Sequence, residues 1–443
     1  MTESEFDAAV GVVGAGITGL ALAHHLDDAG VDHVVLEASD EPGGVIRSGR
    51  VDGYLLEWGP QRLRRTDPVD ELVVDLGLDD EVLEAGETEM FVYADGSLGR
   101  APFSLDAFAE TDLLSEEAKL TVVGEPATDP ARPDETAAEL FTRKFGEEAY
   151  RNLLGPLFGG IYGSDPAEMP VRHALSGLMA VEERYDCLLK PAVKRAMQGG
   201  ASAPAISFEE GVQRLSEALY DAHRTNVRLE TPVEGVRREG AGYALDTADG
   251  TVAVERVVVT TPADVTADLL ADLAPDAATA LAELNYNPLA MVHLLADGDR
   301  EGFGYQVRHD EGLDTLGVSW NVSMFDRDGG LASEANDGGS RAERSGGVYT
   351  AFLGGMRNPE LVEADDDTLG TVASEEFEQV MDVPAEVLSV ERLERGFPAY
   401  DRSWDALDDV ETPDGLFLAT NYTARMGVPS RIREARELAE RLS

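Results

Sequence analysis

The opening of this chain restricts its fold more tightly than any other part. Ala8-Ala9-Val10-Gly11-Val12-Val13 is a short apolar strand, and Gly14-Ala15-Gly16-Ile17-Thr18-Gly19 is the turn after it. Residues 20–26 continue as the first turns of a helix. A second apolar strand, Val34-Val35-Leu36, is closed by Glu37, eighteen residues past the last glycine. Gly43-Gly44 follows six residues later, with Arg47 just behind.

Each position has a physical task. Gly14 makes a tight turn, Gly16 lets backbone approach a pyrophosphate, and Gly19 lets helix and strand pack closely. The helix N-terminus offers unpaired N–H groups and partial positive charge to phosphates. A carboxylate at a strand end accepts hydrogen bonds from a ribose hydroxyl pair. The glycines alone define only a glycine-rich turn; strand before, helix after and an acid at this offset make a dinucleotide site. The Gly43-Gly44 pair adds a second N–H-rich turn near the same phosphates. That suits a resident ligand, and so FAD rather than a diffusing nicotinamide.

At 443 residues the chain can bury a large core and should form two or three domains. Its 86 acids against 36 bases leave a formal charge of −50. The only lysines are Lys119, Lys144, Lys190 and Lys194, and acid runs such as Asp365-Asp366-Asp367 are spread along the chain. Such charge strains a compact state at low salt and is tolerated where salt screens it. The composition therefore points to a cytosol rich in potassium chloride, as in a halophilic archaeon. A field of this sign excludes nucleic acid as a partner.

Cys187 is the single cysteine, so no internal disulfide and no thiolate metal cluster can form. The seven histidines show no spacing suited to metal ligation, and His24 and His25 read as ordinary positions of the first helix. No stretch approaches about 18 apolar residues and no secretory signal precedes the first strand. The expectation is a soluble cytoplasmic protein without a transmembrane segment, with peripheral membrane contact left open.

Along the chain, residues 101–197 carry helical periodicity, with a helix start at Asp134-Glu135-Thr136. Residues 196–205, small and glycine-containing, read as a boundary, and 326–347 as a surface loop. Residues 211–222 form a helix, after which strands alternate as far as Val257-Val258-Val259. That uniformly apolar run, ending in Thr260-Thr261-Pro262-Ala263, reads as a buried parallel strand returning to the nucleotide sheet. Strand-like runs recur over 289–353, and the chain ends with a strand at 415–419 and a helix at 432–442. The expected fold is α/β: a discontinuous Rossmann-like FAD-binding domain (1–65, 200–285 and 390–443), an α+β substrate domain (66–100 and 286–389) and a helical insertion (101–199).

These residues resemble the flavin-containing porphyrinogen oxidases, of protoporphyrinogen and coproporphyrinogen type, within the amine-oxidase superfamily. Residues 12–47 are similar to the whole superfamily, as is Gly53-Tyr54-Leu55-Leu56-Glu57-Trp58-Gly59-Pro60. More discriminating are Phe158-Gly159-Gly160-Ile161-Tyr162-Gly163-Ser164-Asp165-Pro166 with residues 169–175, and Ser207-Phe208-Glu209-Glu210-Gly211. Leu418-Ala419-Thr420-Asn421-Tyr422 and Met426-Gly427-Val428-Pro429 resemble the C-terminal flavin block, where a helix N-terminus stabilises negative charge on the reduced ring.

Position by position, the resemblance implies FAD contacts at Gly14, Ala15, Gly16, Ile17, Thr18, Gly19, Glu37, Ala38, Val45, Arg47, Gly59, Pro60, Val233, Met426, Gly427 and Val428. It implies a six-electron oxidation of a porphyrinogen to the porphyrin, in heme or porphyrin biosynthesis, with dioxygen as acceptor. Hydride would pass from a meso carbon to flavin N5, so no acid–base residue is required and none stands out. Arg62, Arg64 and Arg65 are candidates to meet the propionates of the tetrapyrrole substrate.

Departures from the family pattern bear on the substrate. Val45 replaces an arginine, Thr420 a glycine and Leu393 a tryptophan; Phe397-Pro398-Ala399-Tyr400 matches only in part, and the strand through Ala94 lacks a substrate-holding arginine. The alternatives are a polyene desaturase or another oxidoreductase of the superfamily, and a flavoprotein that kept the fold without catalysis. No lysine follows Lys194, which disfavours an amine oxidase; residues 158–175 disfavour a desaturase.

Overall fold

The computed structural model describes residues 6–86, 89–197, 203–298, 300–327, 346–423 and 427–443. The expected surface loop at 326–347 lies almost wholly outside the described residues, as do 198–202 of the expected boundary and Met426.

The first sheet is built around β1 (Ala8–Val13), which pairs in parallel with β2 (His33–Leu36) on one side and Gly250–Val259 on the other. Its registers, Val12 to Val35 and Val12 to Val258, bury a continuous apolar run on both faces. Val227–Arg228 extends the parallel part beyond β2, and Leu416–Leu418 pairs in parallel with 257–259. An antiparallel meander, Val233–Glu239 and Gly242–Thr247, leads into Gly250–Val259. The helix α1 (Ile17–Asp28) crosses from β1 to β2 and is buried along most of its length. Val428–Leu442, through Ile432, Ala435, Leu438 and Leu442, shares its core.

The second sheet runs in the order Ala385–Pro398, Tyr286–Ala296, Gly347–Gly354, Thr315–Ser319, Gly304–Val307, Met90–Ala94 and Ser97–Arg100. Alternation divides its faces. Ala290, Val292 and Leu294 pack with Leu369, Ala373 and Phe377 of the helix Asp366–Met381. Leu289, Met291 and Leu295 point the other way, Leu295 joining Tyr54 and Leu56 of the nucleotide half.

Between Arg100 and Ala205 the described chain is helical, as its periodicity predicts. The expected start near residue 136 is a capping box: Thr136 accepts from the Glu139 N–H, and the Glu139 carboxylate accepts from the Thr136 N–H. No helix among the described residues is long and apolar enough to cross a membrane.

Two expected boundaries shift. The helix α2 (Asp67–Asp75) buries Val69, Leu72 and Val73 in the first core, and Val82–Glu84 pairs with Ala205–Phe208, so the segment after 66 begins in the nucleotide half. At the other end, Ala385–Pro398 pairs with Tyr286–Ala296 from end to end, so the second sheet continues past residue 390 to Pro398. Both shifts come from pairings across about ninety residues of chain or more, which local patterning does not encode.

Candidate active site

The three fingerprint glycines do three different things. Gly14 has φ of +105°, and a Cβ there would stand 2.6 Å from Thr260 Oγ1, which donates to the Val13 carbonyl at 2.9 Å. A Cβ on Gly19 would lie 2.0 Å from the Gly14 carbonyl oxygen, so only glycine brings α1 this close to β1. A Cβ on Gly16 would meet nothing within 4 Å. That open position is the ligand side of the turn. Gly16 is also the N-cap of α1 and carries no side-chain cap, which leaves the positive end of the helix facing the opening. Ala15, Ile17 and Thr18 bury their side chains, so only their backbone is available to a ligand.

The second glycine turn is bound to the first. The Gly43 N–H donates to the Ala15 carbonyl at 2.8 Å, Gly16 and Gly43 form a parallel bridge, and a Cβ on Gly44 would touch Gly16 Cα at 3.4 Å. Glu37 stands at the mouth of this double turn. One carboxylate oxygen accepts from Ala15 N–H at 2.6 Å, the other from Ser39 N–H at 2.9 Å and Ser39 hydroxyl at 2.7 Å. Ala38 beside it is exposed. The Thr231 N–H donates to the Glu37 carbonyl at 2.7 Å, which brings the strand that starts at Val233 to the same edge. These residues fit a dinucleotide: a concave, N–H-rich backbone with one carboxylate at the end of β2.

Residues 45–61 carry the crevice toward the second sheet. Val45 is half exposed, and a Cβ on Gly59 would overlap its carbonyl at 1.9 Å, so Gly59-Pro60 passes flush over it. Arg47 forms an ion pair with Glu391 of the second sheet. Behind this turn lies a polar web that sequence reading missed. Gln61 donates to the Gly59 carbonyl at 2.8 Å and the Glu57 carbonyl at 3.1 Å, and its amide oxygen accepts from Asn321 at 2.7 Å and Thr350 at 3.1 Å. His293, fully buried, donates from Nε2 to the Glu57 carbonyl at 3.0 Å while Nδ1 faces Ser389 Oγ; burial lowers its pKa and favours the neutral ring. No motif links these side chains, which lie up to 289 residues from their partners.

Glu57 itself is 2% exposed, and burial pushes its carboxyl up to about 7 against the pull of the Ser48 hydroxyl, Arg327 and the Val212 N–H. The Val212 N–H donates to it at 3.1 Å, so the carboxyl holds the start of the helix Gln213–His223.

The three arginines part company. Arg62 lies over the Phe303 ring at 4.3 Å and Arg64 over the same ring at 5.6 Å. Desolvation and the neighbouring Arg64 charge lower Arg62 to about 10, and among the described residues it forms no ion pair. Arg64 donates to the Ala203 carbonyl at 3.1 Å. Arg65 pairs with Asp70 at 2.5 Å and Asp79 at 3.1 Å, which ties its guanidinium to the surface around α2.

The 158–166 block joins all three parts of the molecule. The helix Gly155–Tyr162 stops at Gly163 in the left-handed region (φ +55°), where a Cβ would stand 2.3 Å from the Phe397 ring. Asn287 donates to the Gly163 carbonyl at 2.8 Å and to Ser164 Oγ at 2.9 Å, and Ser164 Oγ accepts from Tyr400 N–H at 3.1 Å. Phe158, Tyr162, Tyr400 and Trp404 form a chain of ring contacts along this seam. Leu393 belongs to an apolar group with Leu289, Met291, Leu316, Phe352 and Phe397. Thr420, buried, accepts from Tyr422 N–H in the turn before the last helix; Gly427 caps that helix and Val428 begins it.

A parallel sheet whose first turn is glycine-lined at an uncapped helix, joined to a mixed sheet, defines a two-lobed nucleotide-binding oxidoreductase fold. The chain belongs to the family of flavin-containing amine oxidoreductases, whose model matches residues 17–443. It is 28% identical to protoporphyrinogen oxidase 1 of Arabidopsis thaliana chloroplasts over 97% of this chain and 86% of that one. It is 30% identical to coproporphyrinogen III oxidase of Staphylococcus aureus over 57% of this chain and 60% of that protein. Among solved structures, a candidate protoporphyrinogen oxidase from Exiguobacterium sp. 255-15 superposes with a TM-score of 0.78 at 25% identity, each chain covered to 98%. Putrescine oxidase shares the fold at a TM-score of 0.72 and 16% identity, with 98% of each chain covered. The protein is an FAD-dependent oxidoreductase.

Proposed function

We propose that this enzyme oxidises a porphyrinogen, protoporphyrinogen IX or coproporphyrinogen III, to the porphyrin. The observation that carries this reading is the extent of the similarity. It runs over 97% of the chain to a protoporphyrinogen oxidase, so it includes the second sheet and the helical insertion as well as the nucleotide crevice.

FAD would be held by Gly14, Ala15, Gly16, Ile17, Thr18 and Gly19 at its diphosphate and by Glu37 and Ala38 at its ribose. Val233 would lie beside the adenine. Val45, Arg47, Gly59, Pro60, Gly427 and Val428 would line its ring end. When bound, the isoalloxazine accepts the hydride equivalents, six electrons in three rounds, with dioxygen as terminal acceptor. The side chains of this protein position the reactants. Gln61, Asn321, Thr350 and His293 tie down the carbonyls of residues 57–59, so that Gly59-Pro60 presents a fixed surface. Arg62, which forms no ion pair among the described residues, is the guanidinium we assign to a propionate, with Arg64 beside it.

The test is spectroscopic. Protein purified in molar salt should carry one flavin, and anaerobic addition of either porphyrinogen should bleach its visible band. A flavin bleached only by a polyene or an amine overturns the substrate assignment, and a flavin inert to every donor overturns catalysis.

A further inference from the structure

Far along α1 from the glycine turn, three helices bring His24, His25, Asp28, Asp75 and His223 near one another. His24, His25 and Asp28 come from α1, with one ligand-capable atom of each lying within 4.8 Å of the others. His24 is 7% exposed, and its Nε2 lies 3.5 Å from Asp28 Oδ2 and 3.6 Å from Asp75 Oδ2 of α2 without making a hydrogen bond. The Nε2 of His25 is also buried and without a hydrogen-bond partner. We propose that His24, His25 and Asp28 bind a divalent transition metal of the zinc type, with the Asp75 carboxylate facing His24 beside them.

Four features carry this assignment. Oxygen and nitrogen ligands bound to tetrahedral zinc at about 2.0–2.1 Å stand about 3.4 Å from one another, close to the spacing of His24 Nε2 from both carboxylates. A buried imidazole nitrogen without a hydrogen bond is costly in a dry setting, and a metal would satisfy the Nε2 of His24. The other nitrogen of His24 is oriented as ligating histidines require: Nδ1 lies 3.1 Å from His223 Nε2, and His223 Nδ1 faces Asp27 Oδ2 at 3.8 Å. Finally, the site lies in the last turns of α1, where the helix dipole favours a cation. Arg436, the nearest guanidinium to influence His25, is paired with Glu71 at 2.6 Å. The metal would sit on the last turns of α1, with Asp75 of α2 facing it and the helix Gln213–His223 as outer support, behind the nucleotide sheet. His24 and Asp28 are one helical turn apart, a ligand spacing that becomes meaningful only once folding adds Asp75 and His223.

The experiment titrates FAD-loaded, chelator-treated protein with zinc sulfate by calorimetry. Molar sodium sulfate screens the acidic exterior, and cobalt(II) serves as the optical probe. The expected result is one equivalent bound, a ligand-field band to the red of the flavin, and a rise in Tm on zinc addition. Asp28→Asn and Asp75→Asn, both at exposed carboxylates, and His25→Gln should each weaken binding about tenfold or more and abolish the Tm rise. Flavin content should stay unchanged in all three, which separates this proposal from the assignment of the FAD crevice. No heat of binding in the wild type overturns the site, and so does equal binding by wild type and the Asp28→Asn/Asp75→Asn double variant.

Discussion

The glycine-lined crevice proposed for the diphosphate and the wall proposed to face the substrate are built on opposite principles. At the crevice the work is done by backbone: Gly16 leaves space, Gly19 abuts the Gly14 carbonyl at what would be 2.0 Å from a Cβ, and Gly43 bonds Ala15. The wall is made of side chains from distant segments: Gln61, Asn321 and Thr350 hold one another, and Arg62 rests on Phe303. A site made of backbone depends on where glycine stands and tolerates little else. A site made of side chains can change its ligand while the fold persists, and the shared fold of putrescine oxidase at 16% identity illustrates that freedom.

The sharpest way to break this contrast lies in the crevice. Gly16→Glu should fold, because a Cβ at Gly16 meets nothing within 4 Å, yet give colourless protein whose FAD affinity has fallen by about 100-fold or more. Gly19→Ala should fail earlier, since backbone cannot yield 1 Å or more without parting α1 from β1; little soluble protein is expected. Flavin absorbance and circular dichroism of the two variants distinguish the effects. Stoichiometric FAD in Gly16→Glu would refute the placement of the diphosphate.

Glu57 tests the seam between the two regions. Its carboxyl ordinarily titrates near 4.5 and is raised to about 7 here, so the folded state holds the proton more tightly than the unfolded chain does. Its contribution to stability is therefore complete below about pH 4.5 and is lost as pH rises through 7. Glu57→Gln should remove that loss. The amide oxygen can still accept from Val212, and its NH2 can donate to Ser48 Oγ. Denaturant unfolding at pH 5 and pH 8 in molar salt should show the wild type losing up to about 3 kcal/mol relative to the variant between the two. Parallel pH profiles for the two proteins would show that Glu57 titrates normally.

The same division explains what could be read before folding. β1, the glycine turn, α1 and Glu37 lie within thirty residues of one another and each signal is local, so strand, turn and helix fall where their patterns put them. The apolar run at 257–259 was legible as a parallel strand because burial on both faces leaves no alternation. Glu57 looked like one residue of a flavin block, yet folding buries it beneath Val212 and Arg327. The Gln61 web, the His24 cluster and the course of 385–398 in the second sheet were not legible, because each depends on partners from other elements. The pairing of Arg65 was not legible for the same reason: adjacency to Arg62 and Arg64 said nothing about Asp79.

The last two tests set Arg62 against Arg65. Arg62→Met keeps the apolar stem over Phe303 and removes the charge, so flavin content and fold should be unchanged. If the guanidinium meets a propionate, KM for a porphyrinogen should rise about tenfold, or about 1.4 kcal/mol, with kcat within about twofold. Coproporphyrinogen, with more propionates, should be affected at least as much as protoporphyrinogen. Unchanged KM for both would release Arg62 from that role. Arg65→Ala is the smallest effect expected. Its two partners, Asp70 and Asp79, are each about half exposed, so their attraction is screened and the pair of bonds should contribute less than about 1 kcal/mol. The loss should shrink further as salt is raised, and steady-state kinetics should match the wild type. A KM effect at Arg65 as large as at Arg62 would mean that the wall reaches around α2, and the division between brace and binding cation would fall.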